Sequence, residues 1–464
     1  MELENERLNR KLWIIFGLLF LLVLFNSGFR VFNRDEIWAI HASWKMVNTG
    51  FIYTDFYKHH HPMLTFISAP IMAIFGDNIT TLFILRGMAL AMVVGMVALT
   101  YIMAAKLFDR TTALLSIALL ITTRVFIQRA IEVRPDTPQV LFGLLSVFFF
   151  LSFYQNRSYR NFILSSASLA ISFMFMQKAV ILIFFIGSVM TVDFFRKELS
   201  IKDLFLYSLV FIATLIPFYT YLLLNASLDN YLLFNWIITM DMPGNSFLPF
   251  ENIFKTFRRN SLLWIFYFPG LWLILRSKTR DANRIRLVVL SAGLLSIIFI
   301  ARYPNPHYFM QSIPLISILA AFAITTFFGA NPKRLLIIVI IGFSIPALAL
   351  AKRPLKKPII KQIENINYVL SITDKTDYIY DPNSVFNFFR EDPDFFWYLM
   401  GFGTYLSNTL TMKDYNGFDM CESIEKTRPK IVADNEYVLK CSYVKDNYKR
   451  SEKYKYMFIR VEDG

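Results

Sequence analysis

Charge is scarce in this sequence. Asp, Glu, Lys and Arg supply only 18% of its 464 residues, where a soluble domain carries about a quarter. Hydrophobic residues supply 55% and aromatic residues 17%, with 48 Phe among them. That balance excludes an ordinary soluble domain and reads as an α-helical polytopic membrane protein. The net charge of +14 does not point to nucleic acid in so apolar a chain. Basic loops on the cytoplasmic face, attracted to anionic membrane lipids, account for it. Cysteine is nearly absent: Cys421 and Cys441 both fall in the polar C-terminal stretch. No repeat or low-complexity tract is evident. The N-terminal MELENERLNRKLW and its apolar run lack a small-residue cleavage site, which reads as a retained signal anchor.

What is present is a series of apolar runs. A membrane span needs about 20 mostly apolar residues, and about eleven runs qualify. They are Leu12–Gly28, Thr80–Ala105, Thr111–Ile127, Thr137–Tyr154, Phe162–Met176, Ala179–Phe195, Leu204–Leu224, Ser261–Leu275, Leu287–Ala301, Tyr308–Phe328 and Leu335–Ala351. With the N-terminus inside, every second loop is inside as well. Those loops carry the basic residues: Lys106 and Arg110; Arg157 and Arg160; Arg196, Lys197 and Lys202; Arg276 to Arg286; Lys333 and Arg334. This is the positive-inside pattern. It places the C-terminal tail outside, in a multi-pass protein of a bacterial cell (inner) membrane.

The expected organisation is therefore a transmembrane module, 1–351, and a soluble extracytoplasmic α/β domain, 352–464. In the tail, Asp377–Asp381, Lys430–Asp434 and Tyr456–Val461 read as strands with helical stretches between them. The two cysteines lie in an oxidising compartment by this topology, so a disulfide and two separate thiols both stay open. The outer connection Asn225–Asn260, with Pro243, Gly244 and Pro249, reads as a mobile connector.

The first outer loop, 29–78, holds the densest chemistry. Four of the five histidines and the pair Asp35–Glu36 lie between Asn33 and Pro62. Ile37, Ile40, Trp44 and Val47 recur at helical spacing, with Glu36, Ser43 and Lys45 turned away: a short amphipathic helix lying in the interface. A second such helix runs from His61 and Pro62 to Phe75. The plainer reading of Glu36 is a capping box with Asn33. It leaves Asp35 as a general base toward a hydroxyl. His59, His60 and His61 could ligate a metal, but neighbouring histidines point apart, so the metal signal is weak and a cradle for phosphate is an equal reading.

Further polar residues sit near the outer ends of the spans. Asp136 or Thr137 can cap the helix after Pro135, which explains Asp136 but not Glu132 and Arg134, whose burial near the membrane is costly. Arg134 suits bidentate phosphate binding. Lys178 lies in a tight hairpin, and taken alone it simply snorkels. Arg302 and His307 flank Tyr303, Pro304, Asn305 and Pro306 at another outer mouth, and Arg86 stands a short way into the second span. One carboxylate candidate and several cations thus gather on one face.

These motifs resemble the C-type (GT-C) glycosyltransferase superfamily, in particular its bacterial branch related to protein O-mannosyltransferases and the lipid A aminoarabinose transferase. The acidic pair Asp35–Glu36 follows the first span, His60-His61-Pro62 leads an apolar helix, and Arg134-Pro135-Asp136 precedes the fourth span. Arg302 to Pro314 is a weaker match. The resemblance implies an inverting glycosyltransferase. It would move a sugar from a polyprenyl-phosphate donor to an extracytoplasmic acceptor, a lipid, glycan or protein. Asp35 would be the base, and Arg134, Lys178, His61, Arg302 and Arg86 would meet the donor phosphate, with Glu132, Asp136, His60 and His307 in secondary roles. Some relatives use a divalent metal ion, and such an ion stays open as a cofactor here; this sequence has His-His where the lipid A enzymes have Glu-Lys, which puts metal dependence in question. Transfer of a pyrophosphate-linked glycan is the neighbouring alternative. A transporter or lipid flippase should show paired repeats and broken helices at mid-membrane, and neither is visible.

Overall fold

Backbone in hydrocarbon must satisfy its own hydrogen bonds, so apolar runs fold as helices. The computed structural model describes residues 2–241, 248–278, 281–300, 306–356, 359–382, 385–395, 420–434 and 438–461. Among the described residues, six helices are long and apolar enough to cross a membrane: Glu6–Phe29, Ile79–Leu107, Asp136–Asn156, Gln177–Phe195, Ile201–Leu224 and Pro332–Lys352. Met63–Phe75, Arg110–Thr122, Ser261–Arg276 and Ile313–Phe328 are shorter apolar helices. The chain is a multi-pass membrane protein. Two expected spans are interrupted. Thr123 is extended and separates Arg110–Thr122 from Arg124–Arg129, and the run from Leu287 divides into Ala282–Leu295 and Ile297–Ile300. Hydropathy registers the apolar content of such runs but not a local break in the backbone.

The residues group by contact into two units. The first comprises Met1–Arg30, Arg86–Phe218 and Gly244–Lys357. Ile313–Phe328, buried along most of its length, packs on Ser261–Arg276 and on Arg110–Thr122. A Cβ at Gly270 would lie 2.2 Å from the Leu319 carbonyl oxygen, so only glycine lets these two backbones approach. Asp136–Asn156 and Tyr159–Phe175 form a helical hairpin whose turn places Arg157 at φ 52°. Between them the Ser165 hydroxyl donates to the Ser146 carbonyl at 3.0 Å. Phe195, Phe205, Leu224 and Ile345 are exposed, as lipid-facing side chains should be.

The second unit comprises Val31–Leu85, Tyr219–Pro243 and Pro358–Gly464. Contact thus groups residues 31–85 with the tail. The tail holds a four-stranded sheet: β1 (Ile379–Tyr380), β2 (Ile431–Ala433), β3 (Tyr448–Arg450) and β4 (Met457–Arg460), in the order β1-β2-β4-β3. β1 runs parallel to β2; the other pairs are antiparallel. β3 was not expected, because Lys449 and Arg450 are polar and exposed. A disulfide joins Cys421 and Cys441.

Two expectations about the connecting segments need correction. Arg34–Asn48 is a helix, but Glu36, Ser43 and Lys45 are fully buried rather than turned to water. Residues 387–392 of the tail cover that polar face and answer its charges. The stretch Asn225–Asn260 is not a plain connector either. It contains the helical turns Leu228–Asp241, with a wider turn at Leu233–Ile237, and the helix Leu248–Arg259. Pro243 and Gly244 lie outside the described residues.

Candidate functional site

In the second unit, the helix Arg34–Asn48 carries the carboxylate pair at its first turn. Asn33 is extended there, and its side-chain oxygen accepts from the backbone N–H groups of Asp35 at 2.9 Å and Glu36 at 3.1 Å. This side-chain cap starts the helix. It leaves Asp35 half-buried and Glu36 fully buried at the positive end of the helix dipole.

The loop before Met63–Phe75 is packed rather than open. Tyr53, at φ 71°, donates its hydroxyl to the His60 carbonyl at 2.7 Å. The His59 ring stacks on Trp38 at 4.6 Å between centroids, and His60 meets the edge of the same indole. His61 takes another direction, its Nε2 lying 3.0 Å from the Tyr231 hydroxyl. Among the described residues, no three His, Cys, Asp or Glu side chains converge as a metal set. Lys58 is buried, hydrogen-bonds the Thr65 hydroxyl and lies over the Trp38 ring. Burial brings its amine down to about 7.

The first unit holds a buried ion network. Glu132 receives Arg30, Arg129 at 3.2 Å and Arg134 at 3.7 Å. Asp136 receives Arg134, through Nε and Nη2 at 3.2 Å each, and Lys178. The Lys178 amine also lies 4.3 Å from the centre of the Tyr308 ring. His307 stands within electrostatic reach of Lys178, Asp136, Arg134 and Arg129. Desolvation and the neighbouring cations hold its imidazole well below the usual value, against the pull of Asp136. Among the described residues, four cations therefore meet two carboxylates here.

All but one of the residues singled out in the sequence have a described place. Glu132, Arg134, Asp136, Lys178 and His307 share one network; Asp35, Glu36, His60 and His61 belong to the other unit. Arg86 donates to the backbone carbonyls of Ser27, at 3.2 Å, and Arg30, at 2.6 Å, holding the end of the first helix. Arg302 lies outside the described residues. Asp136 does not act as a helix cap: its carboxylate bridges Arg134 and Lys178, and Pro135 occupies the cap position without a side-chain bond. Lys178 does not snorkel, because Asp136 holds it. Arg30 and Arg129 were missed as site residues. Their signal was a cation closing the first apolar run and another three residues before Glu132.

Residues 59–240, less than half of the chain, match the family model described as dolichyl-phosphate-mannose-protein mannosyltransferase. The fold is similar to that of ArnT from Cupriavidus metallidurans in the apo state, at a TM-score of 0.69 and 13% identity, over 96% of this chain and 97% of that one. ArnT bound to undecaprenyl phosphate matches at 0.58 and 14% identity, over 77% of this chain and 72% of that one. The archaeal oligosaccharyltransferase AglB from Archaeoglobus fulgidus, in complex with an inhibitory peptide and a dolichol-phosphate, matches at 0.53 and 13% identity, over 97% and 75%. No curated protein sequence matches the chain.

The chain shares the fold of ArnT and AglB, and part of it matches the mannosyltransferase family model. Identities this low carry the fold and not the donor or acceptor. What the chain itself displays is a network in which Arg30, Arg129, Arg134 and Lys178 meet Glu132 and Asp136.

Proposed function

We propose that the chain is a C-type glycosyltransferase that moves a sugar from a polyprenyl-phosphate donor to an acceptor hydroxyl at the extracytoplasmic face, with inversion at the sugar. The observation that carries the reading is the convergence of Arg30, Arg129, Arg134 and Lys178 on the buried carboxylates of Glu132 and Asp136. Buried charge is retained at a cost. Planar guanidinium groups gathered in this way fit phosphate. ArnT and AglB have been captured with undecaprenyl phosphate and dolichol-phosphate respectively, which supports the lipid-phosphate class.

The chemistry asks for one base and a stabilised leaving group. Asp35 takes the proton of the acceptor hydroxyl as its oxygen attacks the anomeric carbon. The bond from that carbon to the phosphate oxygen breaks, and the polyprenyl phosphate leaves as an anion. A glycosidase needs a second carboxyl to protonate a poor leaving group. A phosphate needs cations instead, and preorganised charge of this kind is commonly the largest catalytic contribution. Arg134 and Lys178 are assigned that task, with Asp136 fixing their spacing. The N-terminus is placed in the cytoplasm and the tail outside, on the distribution of basic loops.

The test is transfer by the purified, full-length protein to a cell-envelope extract from labelled polyprenyl-phosphate sugars and, in parallel, from pyrophosphate-linked glycans. Transfer from the monophosphate donors alone is expected. Transfer from the pyrophosphate donors alone would replace the proposal by glycan ligation, and no transfer from either would remove it.

A further inference from the structure

The helix that bears Asp35 is held at its N-terminal end, and along a face two turns further on, by residues more than three hundred positions later. Ahead of its cap, the side chain of Gln362 pairs with both polar groups of the Phe32 backbone. The Phe32 N–H donates to Oε1 at 2.6 Å, and Nε2 donates to the Phe32 carbonyl at 3.0 Å. Arg34 donates to the Pro382 carbonyl at 3.4 Å. Further along, His41, Lys45 and Thr49 recur every four residues on one face, and the tail meets all three. The His41 ring lies between two acceptors, the Phe388 carbonyl at Nδ1 (3.2 Å) and Asp392 at Nε2 (2.6 Å). Lys45 pairs with Glu391 and with Asp392 at 3.3 Å, and Thr49 with Glu391.

The tail segment is itself fixed. The Asp381 carboxylate accepts from the N–H groups of Val385, Phe386 and Asn387 at 2.7 to 2.9 Å. Asn387 donates to the other oxygen of Asp392 at 3.1 Å. Asp392 is buried, and His41 and Lys45 overcome that burial to hold its carboxyl below the usual range. Apolar contacts alone would join the tail to the helix at less desolvation cost. What hydrogen-bonded charges add is a single register and rotation.

We infer that the tail positions the catalytic base: Gln362 and Asp392 are positioning residues that set the rotation and depth of the helix Arg34–Asn48, and with it Asp35. This rests on the reading of Asp35 as the base. His41 is about 9 Å along the helix axis from Asp35 at 1.5 Å per residue, so the ion cluster touches no reacting atom and acts through the helix. A misplacement of about 1 Å in a reacting group can cost 10²-fold in rate.

The experiment measures turnover and donor KM for the full-length protein, with Gln362→Met, Asp392→Asn and Asp35→Asn alone and combined. Gln362→Met keeps the length of the side chain and buries no new charge, so it serves if Asp392→Asn fails to fold. Turnover is expected to fall about 10- to 100-fold in Gln362→Met with donor KM unchanged. Added to Asp35→Asn, it should leave the residual rate where it was. Wild-type turnover in Gln362→Met, a loss confined to KM, or losses that multiply with Asp35→Asn would overturn the inference. Wild-type turnover in Asp35→Asn would overturn the reading beneath it instead, which the Gln362 data alone cannot do.

Discussion

Lys178→Met and Asp136→Asn break the same ion pair from opposite sides, and the proposed phosphate cradle makes them diverge. In Lys178→Met, Asp136 keeps Arg134 through two nitrogens at 3.2 Å. The lost hydrogen bond to a charged group should cost about 1.5–3 kcal/mol of stability. If Lys178 also meets the donor phosphate, a similar amount is lost from binding, which is about 10- to 150-fold in Kd. In Asp136→Asn, Lys178 loses its carboxylate while Arg134 keeps Glu132 at 3.7 Å, and breaking a buried pair this way costs about 3–5 kcal/mol. Yet Arg134 and Lys178 are then freer to meet an anion, so affinity for polyprenyl phosphate should hold or rise. The assay is thermal unfolding beside direct titration of the detergent-solubilised variants with undecaprenyl phosphate. Stability should fall in both and affinity in one. Parallel loss of affinity in both variants, or loss in neither, refutes the cradle and leaves the network a structural one.

Two further predictions concern the second unit. Lys58 has its amine lowered to about 7 by burial, so between that pH and the unfolded value of 10.5 the unfolded chain binds the extra proton and stability rises with pH. Unfolding followed from pH 6 to 10 should show that rise in the wild type and a flatter profile in Lys58→Met; equal slopes would contradict it. The Cys421–Cys441 disulfide closes a loop at a sequence separation of 20, which in the chain-entropy account is worth about 3 kcal/mol. Cys421→Ser/Cys441→Ser should therefore lower the unfolding midpoint; an unchanged midpoint would show that the bond does not constrain the chain.

The helical membrane architecture was legible because 3.6-residue periodicity and apolar runs are local properties. So was the start of the helix at Asn33, whose side-chain cap is written within four residues. Breaks such as Thr123 leave no trace in hydropathy. The polar face of Arg34–Asn48 was read as solvent-facing because the residues that cover it, Glu391 and Asp392, come some 350 positions later. The same distance hid Gln362, an unremarkable glutamine in the sequence. Arg134-Pro135-Asp136 stood out as polar groups next to spans, but the sequence could not say that Asp136 bridges Arg134 and Lys178 rather than capping its helix. Neighbouring histidines were expected to point apart; His61 does, toward Tyr231, but His59 and His60 both meet Trp38 with their ring centroids 4.1 Å apart.

The central claim is that Asp35 deprotonates the acceptor during transfer from a lipid-phosphate sugar. Its most direct measurement is single-turnover transfer by Asp35→Asn against wild type, with donor affinity measured on the same preparations. The account predicts turnover lower by about 10²–10⁴, with donor affinity and unfolding midpoint unchanged. Wild-type turnover in Asp35→Asn, with the loss appearing in Glu36→Gln instead, would contradict it.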